Sequence, residues 1–447
     1  MPNKGLKYRL MHSAIALPLV VALLVRLAAF PLAHLGKSDT LWNWEYAAIA
    51  LNIAAGKGYS SNWNYPGLSH TLTLPTAYMP PGQVVIHLLA LGPFGDTLAG
   101  QIALFLEEVL LGGVFVFAMW KVLSLLFGAM SRTTRLGVWL AALYPSFIAA
   151  STTLGVTSGV LALDALFLWI FVLAIDKLRT GNRGNAKFIG AGVLGGLIAQ
   201  FRSEAYLLMA LSFVLVLWVN RFWVRRLAPA LGFAVLGAAV VCSPWIIRNY
   251  VVFHRPIITS TNGGFNFWRG HSAEATGSAY INDRVAVWTT DATWRQIEPT
   301  GAVDSNVEFR QDSFLWSDAR QWIRDHPLIE AKRSFLKLFN FLVIDWRNPQ
   351  ARYLPYLIVY FATVFAAIVG IVRVRREHIS RNLVVRDALA LMLLWVVFYT
   401  CVAVVFFPMP RIQVILTGFY FPIVVYGAED IFDWARKNLL RKIPTND

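Results

Sequence analysis

The sequence predicts an all-α polytopic membrane protein, a bundle of about ten transmembrane helices with interfacial helices in two outer-face loops. Of its 447 residues, 57% are hydrophobic, and the mean hydropathy is +0.54. Apolar runs of about twenty residues recur along the chain, and this is the length that crosses a bilayer as a helix. Basic residues fall in short clusters between these runs, as topogenic charges do.

The apolar runs define the spans in chain order. They lie near residues 13–35, 97–127, 134–150, 152–176, 188–202, 204–220, 228–246, 353–372, 386–407 and 412–429. The first run contains Arg26 and ends without a small-residue cleavage site, so we interpret it as a retained span rather than a signal peptide. With every basic cluster in the cytoplasm, the spans alternate consistently and both termini lie inside.

The net charge of +15 raises the question of a nucleic-acid partner. The basic clusters are distributed between the spans instead of lying on one face, so no nucleic acid is predicted to bind. Cys242 and Cys401 both lie inside apolar runs. There they act as small hydrophobic side chains, which excludes a disulfide framework and a cysteine metal site.

Two long segments, residues 36–96 and 248–352, remain on the outer side, and residues 1–447 form a single transmembrane domain that includes both. The second segment carries charges of both signs and many aromatic residues, which indicates an ordered module. From Val307 to Phe341 its spacing is helical, with a break at Asp325-His326-Pro327. We expect these two helices to lie near the membrane surface.

The first segment places two carboxylates, Asp39 and Glu45, beside a short helix. The apolar stripe of this helix has helical spacing and consists of Trp42, Tyr46, Ile49 and Ile53. Glu45 and Asn52 take the other side. The glycines at 56 and 58 end the helix, and two prolines begin the next one, predicted over 83–91.

A loop of this length with paired acids is typical of an active site. The alternative assigns both acids ordinary roles. Glu45 would then be a solvated surface residue, and Asp39 would be an acid at a helix start that interacts with the helix dipole.

Several sequence motifs occur in a definite order along the chain. After the first span come an acid, EYAAIALNIAAGKGYS and PTAYMPPG, and later PWIIRNYVVF and an outer-face helix with DHP. In this order the chain resembles bacterial glycosyltransferases of the GT-C fold. Within them it is similar to the branch (glycosyltransferase family 39-like) related to protein O-mannosyltransferases and to the lipid A aminoarabinose transferase.

The resemblance implies an inverting transfer of a hexosyl or pentosyl group from a polyprenyl-phosphate donor to a hydroxyl of a lipid, glycan or protein acceptor. It places the reaction at the outer face of the bacterial inner membrane, with membrane lipids as partners. An acid of the first loop would be the general base. The start of the loop helix, where relatives carry an acid, reads Trp42-Asn43 here, so the base is ambiguous. Asp39 is favoured as the carboxylate nearest the end of the first span, with Glu45 almost level because some relatives carry an acid at its position. The requirement for a divalent metal stays open, and no HxxxH or DxD spacing supports a tight metal site.

A leaving phosphate needs cations, and the predicted topology places three arginines at the outer ends of spans: Arg202, Arg248 and Arg411. The guanidinium group is suited to forked phosphate contacts. Each arginine also has an ordinary alternative role: Arg202 pairing with Glu204, Arg248 at the end of its span, and Arg411 reaching lipid headgroups.

The segment from Thr261 to His271 combines glycines, amides and aromatic side chains. Its Asn266, Trp268 and His271 have the chemistry of sugar-contacting groups, while an ordinary packed turn is the alternative. Two further candidates for contact with the sugar or the acceptor are Tyr78 in PTAYMPPG and Glu108 in the second span.

The main alternative function is a secondary transporter or flippase of a lipid-linked or anionic solute. Acids inside predicted spans support it, namely Glu107, Glu108 and Asp164, because intramembrane acids are costly and often functional. Against it, the chain has no internal repeat, and its polar residues concentrate at one face.

Overall fold

The computed structural model describes residues 4–34, 45–63, 71–181, 184–281, 284–285 and 303–440. Within them, six helices are long and apolar enough to cross a membrane: Leu98–Phe127, Val156–Arg179, Arg221–Phe253, Leu354–Arg376, Leu383–Val405 and Pro410–Asn438. The prediction of an all-α polytopic membrane protein is therefore confirmed.

The first half of the chain alternates long helices with one mixed segment. Helix α1 (Lys4–His34) leads to α2 (Glu45–Ala54), an antiparallel hairpin of β1 (Ser60–Trp63) and β2 (Leu72–Pro75), and α3 (Pro81–Phe94). The bundle continues with α4 (Leu98–Phe127), α5 (Arg132–Leu143), α6 (Pro145–Ala150), α7 (Val156–Arg179), α8 (Asn185–Phe201), α9 (Ala205–Val219) and α10 (Val224–Phe253).

The second segment follows α10. It contains α11 (Gly263–Gly270), β3 (Tyr280–Ile281), β4 (Arg284–Val285), α12 (Val307–Asp325) and α13 (Pro327–Leu342). The bundle closes with α14 (Leu354–Arg376), α15 (Leu383–Val405) and α16 (Pro410–Leu440). Each predicted span overlaps a helix, with α5 and α6 sharing the third. The predicted break between α12 and α13 falls at His326, as expected.

Glycines allow the membrane helices to pack closely. A Cβ at Gly192 of α8 would lie 1.8 Å from the carbonyl oxygen of Ala234 in α10. A Cβ at Gly427 of α16 would lie 1.9 Å from the carbonyl oxygen of Ala366 in α14. Small residues of this kind set helix packing in a bilayer, where burial of apolar surface alone gives no driving force. Both helix pairs would have to separate to accommodate a side chain at these glycines.

Basic residues from three of the predicted clusters lie at one end of the bundle. They meet acids of neighbouring helices there, in the pairs Arg132–Asp433, Arg179–Asp387, Arg373–Glu429 and Arg376–Asp430. These pairs join the start of α5 and the end of α14 to the C-terminal part of α16, and the end of α7 to the start of α15. The two long segments lie at the opposite end.

The first segment agrees with its predicted helices and adds a hairpin. Helix α2 ends before Gly56, which has a φ of 75°, and α3 starts at Pro81. Asn52 does not lie on a free face, because its Nδ2 donates a hydrogen bond to the Ser60 carbonyl oxygen over 3.0 Å. The sequence did not predict the β1–β2 hairpin that covers this side of α2.

The two segments pack against each other. The Glu308 carboxylate of α12 accepts hydrogen bonds from Thr76 Oγ1 at 2.7 Å and from the Ala77 backbone N–H at 2.8 Å. The Thr261 N–H donates to the Ala77 carbonyl oxygen over 3.1 Å. Burial raises the pKa of Glu308, while these hydrogen bonds favour its charged form. The segments thus form one unit above the bundle.

Candidate active site

A cavity of about 790 Å³ lies between the two segments and the bundle. It is lined by residues from five separate stretches of chain that meet at this end. The lining includes Glu45, Tyr46, Tyr78, Tyr144, Asn262, Phe265, Asn266, Arg269, Tyr280, Gln350, Tyr356, Tyr360, Phe407, Arg411 and Gln413. A volume of this size is typical of a small-molecule or substrate site.

One part of the cavity wall is charged. Glu45 is the first residue of α2, Arg269 lies in the last turn of α11, and Arg411 lies in the first turn of α16. The carboxylate of Glu45 is close enough to act electrostatically on both guanidinium groups. A carboxylate and two cations therefore face one enclosed space.

The Arg269 guanidinium lies 4.4 Å from the centre of the Phe407 ring. Burial, and after it the charge of Arg411, lower the pKa of Arg269 to about 10, so it stays charged at neutral pH. Arg411 exposes its side chain to the cavity. Among the residues that the structure describes, neither arginine has an ion pair with a carboxylate. Two cations without ion pairs, in a cavity wall that also holds one carboxylate, leave an excess of positive charge, which favours an anionic ligand.

Tyrosine side chains make up much of the remaining wall. Burial raises the pKa of Tyr46 and of Tyr78, so both carry a hydroxyl proton at neutral pH. Tyr280, Tyr356 and Tyr360 also line the cavity. Aromatic rings with hydroxyls offer stacking faces and hydrogen bonds to a sugar or an alcohol.

Four of the predicted site residues line this cavity: Glu45, Arg411, Asn266 and Tyr78. They come from the first segment, the second segment and the last helix, so the fold gathers residues that are far apart in the sequence. Asp39 lies outside the described residues.

Arg248 does not line the cavity. Its Nη1 donates to the Thr76 carbonyl oxygen at 2.8 Å, and its Nη2 donates to the Tyr59 carbonyl oxygen at 2.7 Å. The guanidinium also lies 5.2 Å from the centre of the Tyr59 ring. These contacts hold the end of α10 against the first segment and use N–H donors of both terminal nitrogens.

Trp268 and His271 are not among the residues that line the cavity. Trp268 is buried, and its Nε1 donates to Asp318 of α12 at 2.7 Å. His271 is buried between Glu330 of α13, at 2.6 Å from Nδ1, and the Val405 carbonyl oxygen, at 2.7 Å from Nε2. Both side chains connect elements of the module and carry no free face toward a sugar.

Arg202 and Glu108 also lie outside the cavity wall. Arg202 forms an ion pair with Glu204, as its ordinary alternative role predicted, and its charge acts on Arg411. Glu108 is buried in α4, where Oε1 accepts a hydrogen bond from Gln83 Nε2 at 3.0 Å. In the described part of the chain, no group of three or more His, Cys, Asp or Glu residues could hold a metal ion.

The sequence reasoning missed Arg269 and Asn262. The signal was present, because Asn262, Asn266 and Arg269 are spaced i, i+4 and i+7 and therefore share one face of a helix. The glycines in this stretch favoured a turn instead. In the structure it is the helix α11, and this face lines the cavity.

No protein-family model and no curated protein sequence matches the chain. Solved structures do. The Archaeoglobus fulgidus oligosaccharyltransferase AglB, in complex with an inhibitory peptide and a dolichol-phosphate, is 13% identical with a TM-score of 0.58, over 99% of this chain and 53% of that one. Its apo form is 15% identical with a TM-score of 0.58, over 98% of this chain and 52% of that one.

The chain thus spans about half the length of these oligosaccharyltransferases. ArnT from Cupriavidus metallidurans, bound to undecaprenyl phosphate, matches at 15% identity over 97% of this chain and 81% of that one. Its TM-score is only 0.38, so the branch within the fold stays a prediction. The oligosaccharyltransferase match shows that the chain has the GT-C fold that the resemblance implied.

Proposed function

We propose that this protein is an inverting glycosyltransferase, which moves a sugar from a polyprenyl-phosphate donor to a hydroxyl group of a lipid, glycan or protein. The observation that carries the proposal is the grouping of one carboxylate, Glu45, with two arginines that lack ion pairs among the described residues, Arg269 and Arg411, in one cavity. A base and a pair of anion-binding cations are what this reaction requires.

In the proposed reaction, a carboxylate takes the proton of the acceptor hydroxyl. The acceptor oxygen then forms a bond to the anomeric carbon from the side opposite the phosphate. The bond between the anomeric carbon and the phosphate oxygen breaks, and its electron pair leaves with the polyprenyl phosphate. A single displacement of this kind inverts the anomeric centre.

Arg269 and Arg411 would bind the phosphate and stabilise the charge that develops on its leaving oxygen. Their lack of ion pairs among the described residues supports this role, because an internal carboxylate would otherwise compete with the phosphate. Asn266 and Tyr78 would donate or accept hydrogen bonds with the sugar or acceptor.

Glu45 is our first candidate for the base, because it lines the cavity beside both arginines. Asp39, six residues before it, remains the second candidate. The donor class is supported by the dolichol-phosphate in the AglB complex, whose fold this chain shares. We further propose that the protein lies in the bacterial inner membrane with this cavity on the outer side and both termini in the cytoplasm.

The direct test uses purified protein and radiolabelled polyprenyl-phosphate sugars. The wild type is compared with Glu45→Gln and Asp39→Asn, and Glu274→Gln serves as the matched control because Glu274 is exposed outside the cavity. If Glu45 is the base, Glu45→Gln lowers kcat by about 10²- to 10⁴-fold. The control keeps the wild-type rate.

Two outcomes would contradict the proposal. Loss of activity in neither acid variant would remove both candidates for the base. If the protein consumes no polyprenyl-phosphate sugar and instead moves a soluble solute across proteoliposomes, the transporter alternative replaces the enzyme.

A further inference from the structure

Helix α13 has its polar and apolar faces reversed relative to a helix on a water-soluble surface. Four of its five charged and amide side chains, Glu330, Arg333, Lys337 and Asn340, are at most 9% exposed. The fifth, Lys332, is exposed on the apolar side, where its long aliphatic chain can carry the ammonium group to the lipid headgroups. Its large apolar side chains Leu328, Phe335, Phe339 and Leu342 are 47–79% exposed. Each set has helical spacing, and the two sets lie on opposite sides of the helix.

The preceding helix, α12, has the ordinary arrangement. Its residues Val307, Leu315 and Ala319 are buried, while Asp318, Arg320, Gln321, Arg324 and Asp325 are exposed. Only His326 separates α12 from α13. Two adjacent helices of one module therefore face different surroundings, water for α12 and an apolar medium for α13.

The polar face of α13 is fixed by specific contacts, so the helix cannot simply rotate. Glu330 accepts hydrogen bonds from Trp322 Nε1 at 2.9 Å and lies 2.6 Å from His271 Nδ1. Lys337 Nζ lies 3.1 Å from His271 Nε2. Asn340 Nδ2 donates to the Gly277 carbonyl oxygen at 2.9 Å. If α13 turned its apolar stripe inward, the stripe would face these polar partners, and all of these contacts would break.

The apolar stripe continues onto a membrane helix. Tyr360 of α14 donates a hydrogen bond to the carbonyl oxygen of Leu342, the last residue of α13, at 3.2 Å. Helix α14 is one of the six that can cross a membrane, and only 17% of its most apolar 18-residue stretch is buried inside the protein. At this junction, exposed Leu342 of α13 lies beside a membrane helix whose Ile358 and Phe361 are also exposed.

From this surface we infer that α13 lies in the hydrocarbon region of the leaflet on the cavity side, with its apolar stripe against lipid acyl chains. Its buried polar face then backs the cavity, because Gln413 of the cavity wall donates to the Phe341 carbonyl oxygen at 2.7 Å. The bilayer would hold the cavity at a fixed depth. This inference depends on the fold and not on the proposed reaction.

The test measures how deep single positions lie in the bilayer. Full-length protein with Cys242→Ala and Cys401→Ala receives one spin label, at Leu328→Cys, Phe335→Cys or Phe339→Cys, and is reconstituted into phosphatidylcholine vesicles. The control positions are Gln321→Cys and Arg324→Cys on the exposed face of α12. Collision rates are measured with oxygen, which partitions into lipid, and with a neutral water-soluble nickel chelate.

If α13 is embedded, oxygen reaches its labels and the nickel chelate does not, whereas the α12 labels show the reverse. High nickel accessibility on α13 would overturn the inference in favour of an aqueous helix. Low accessibility to both reagents would also overturn it, because a protein surface would then cover the stripe. Three label positions keep the result readable if one substitution prevents folding, and no outcome depends on transferase activity.

Discussion

Two guanidinium groups in the cavity wall favour a ligand with negative charge. Arg269 and Arg411 face the same cavity and raise the electrostatic potential there, while Glu204 compensates the nearby Arg202. Arg202 is therefore a neutralised neighbour, and the two cavity arginines supply the net positive charge. A phosphate with two or more charged oxygens matches such a pair better than a neutral sugar does.

Removing one cavity arginine should weaken phosphate binding more than it weakens folding. We expect Arg411→Gln to reduce affinity for polyprenyl phosphate by roughly 10- to 100-fold, since a hydrogen bond to a charged group contributes about 1.5–3 kcal/mol. Arg411→Lys should recover only part of the loss, because lysine lacks the planar fork. Binding titrations check this, with the exposed Arg324→Gln as control. Unchanged affinity in Arg411→Gln would exclude this arginine from the phosphate site.

Glu308 gives the contact between the two segments a pH dependence. Burial raises the pKa of its carboxyl group in the folded protein, so the folded state binds more protons at this site than the unfolded chain. The contribution of Glu308 to stability therefore increases as the pH falls through this raised pKa toward the unfolded value. Both Thr76 and Ala77 donate to this carboxylate, which makes it part of the contact between segments.

A comparison of melting temperatures isolates this site from the other carboxylates. We expect the Tm of the wild type minus the Tm of Glu308→Gln to rise as the pH is lowered from about 7 to about 5. Scanning fluorimetry in detergent measures both proteins in parallel. A difference that stays constant or falls over this range would contradict the raised pKa. Exposed Glu274→Gln should give no such trend.

At the scale of elements, Arg248 joins helix α10 to the first segment. It donates hydrogen bonds to two backbone carbonyl oxygens of that segment, those of Tyr59 and Thr76, and stacks among aromatic rings. The segment carries Glu45 and Tyr78 into the cavity, so this contact sets the position of the site while remaining outside it.

Arg248→Ala should therefore destabilise the fold rather than remove a phosphate ligand. We expect a loss of about 2–3 kcal/mol in the free energy of unfolding, because two acceptors lose a charged donor. Arg248→Lys should keep part of this stability. Denaturation monitored by tryptophan fluorescence tests the change, and binding of polyprenyl phosphate at a temperature where the variant is folded should be unaltered. Weaker phosphate binding with unchanged stability would instead support the role predicted from the sequence.

The sequence predicted the helices and their ends better than it predicted which side chains enter the cavity. Long apolar runs, glycines at 56 and 58 and the proline at 81 mark helices and their ends locally, so the structure agrees with them. Whether a polar side chain enters the cavity depends on packing between distant segments. Trp268 and Arg269 are neighbours in one helix, yet only Arg269 lines the cavity, while Trp268 packs on α12.

Arg248 illustrates the same limit from the opposite direction. Its position at the end of a span agrees with the prediction, but its donors are used by carbonyl oxygens of a hairpin that no sequence signal indicated. The short strands of this hairpin have few alternating apolar residues, so periodicity could not reveal them. Local patterns thus determined the helices, whereas long-range contacts determined the site.

At the scale of the whole molecule, the two ends of the bundle differ in chemistry. One end holds arginines paired with acids of α15 and α16, such as Arg179 with Asp387. The other end holds both long segments, the cavity and the reversed helix α13. The excess of lysine and arginine in short cytoplasmic loops sets the orientation of most membrane proteins, so this asymmetry predicts the cavity end outside.

Labelling in intact cells tests this orientation. In a Cys242→Ala, Cys401→Ala background, we expect Glu274→Cys, exposed at the cavity end, to react with a membrane-impermeant maleimide. Arg381→Cys, exposed in the loop between α14 and α15, should react only after the cells are permeabilised. Both sites react in permeabilised cells if the variants are folded and accessible, which provides the internal control. The reverse pattern would place the cavity in the cytoplasm, and a polyprenyl-phosphate donor presented at the outer face could then not reach Glu45.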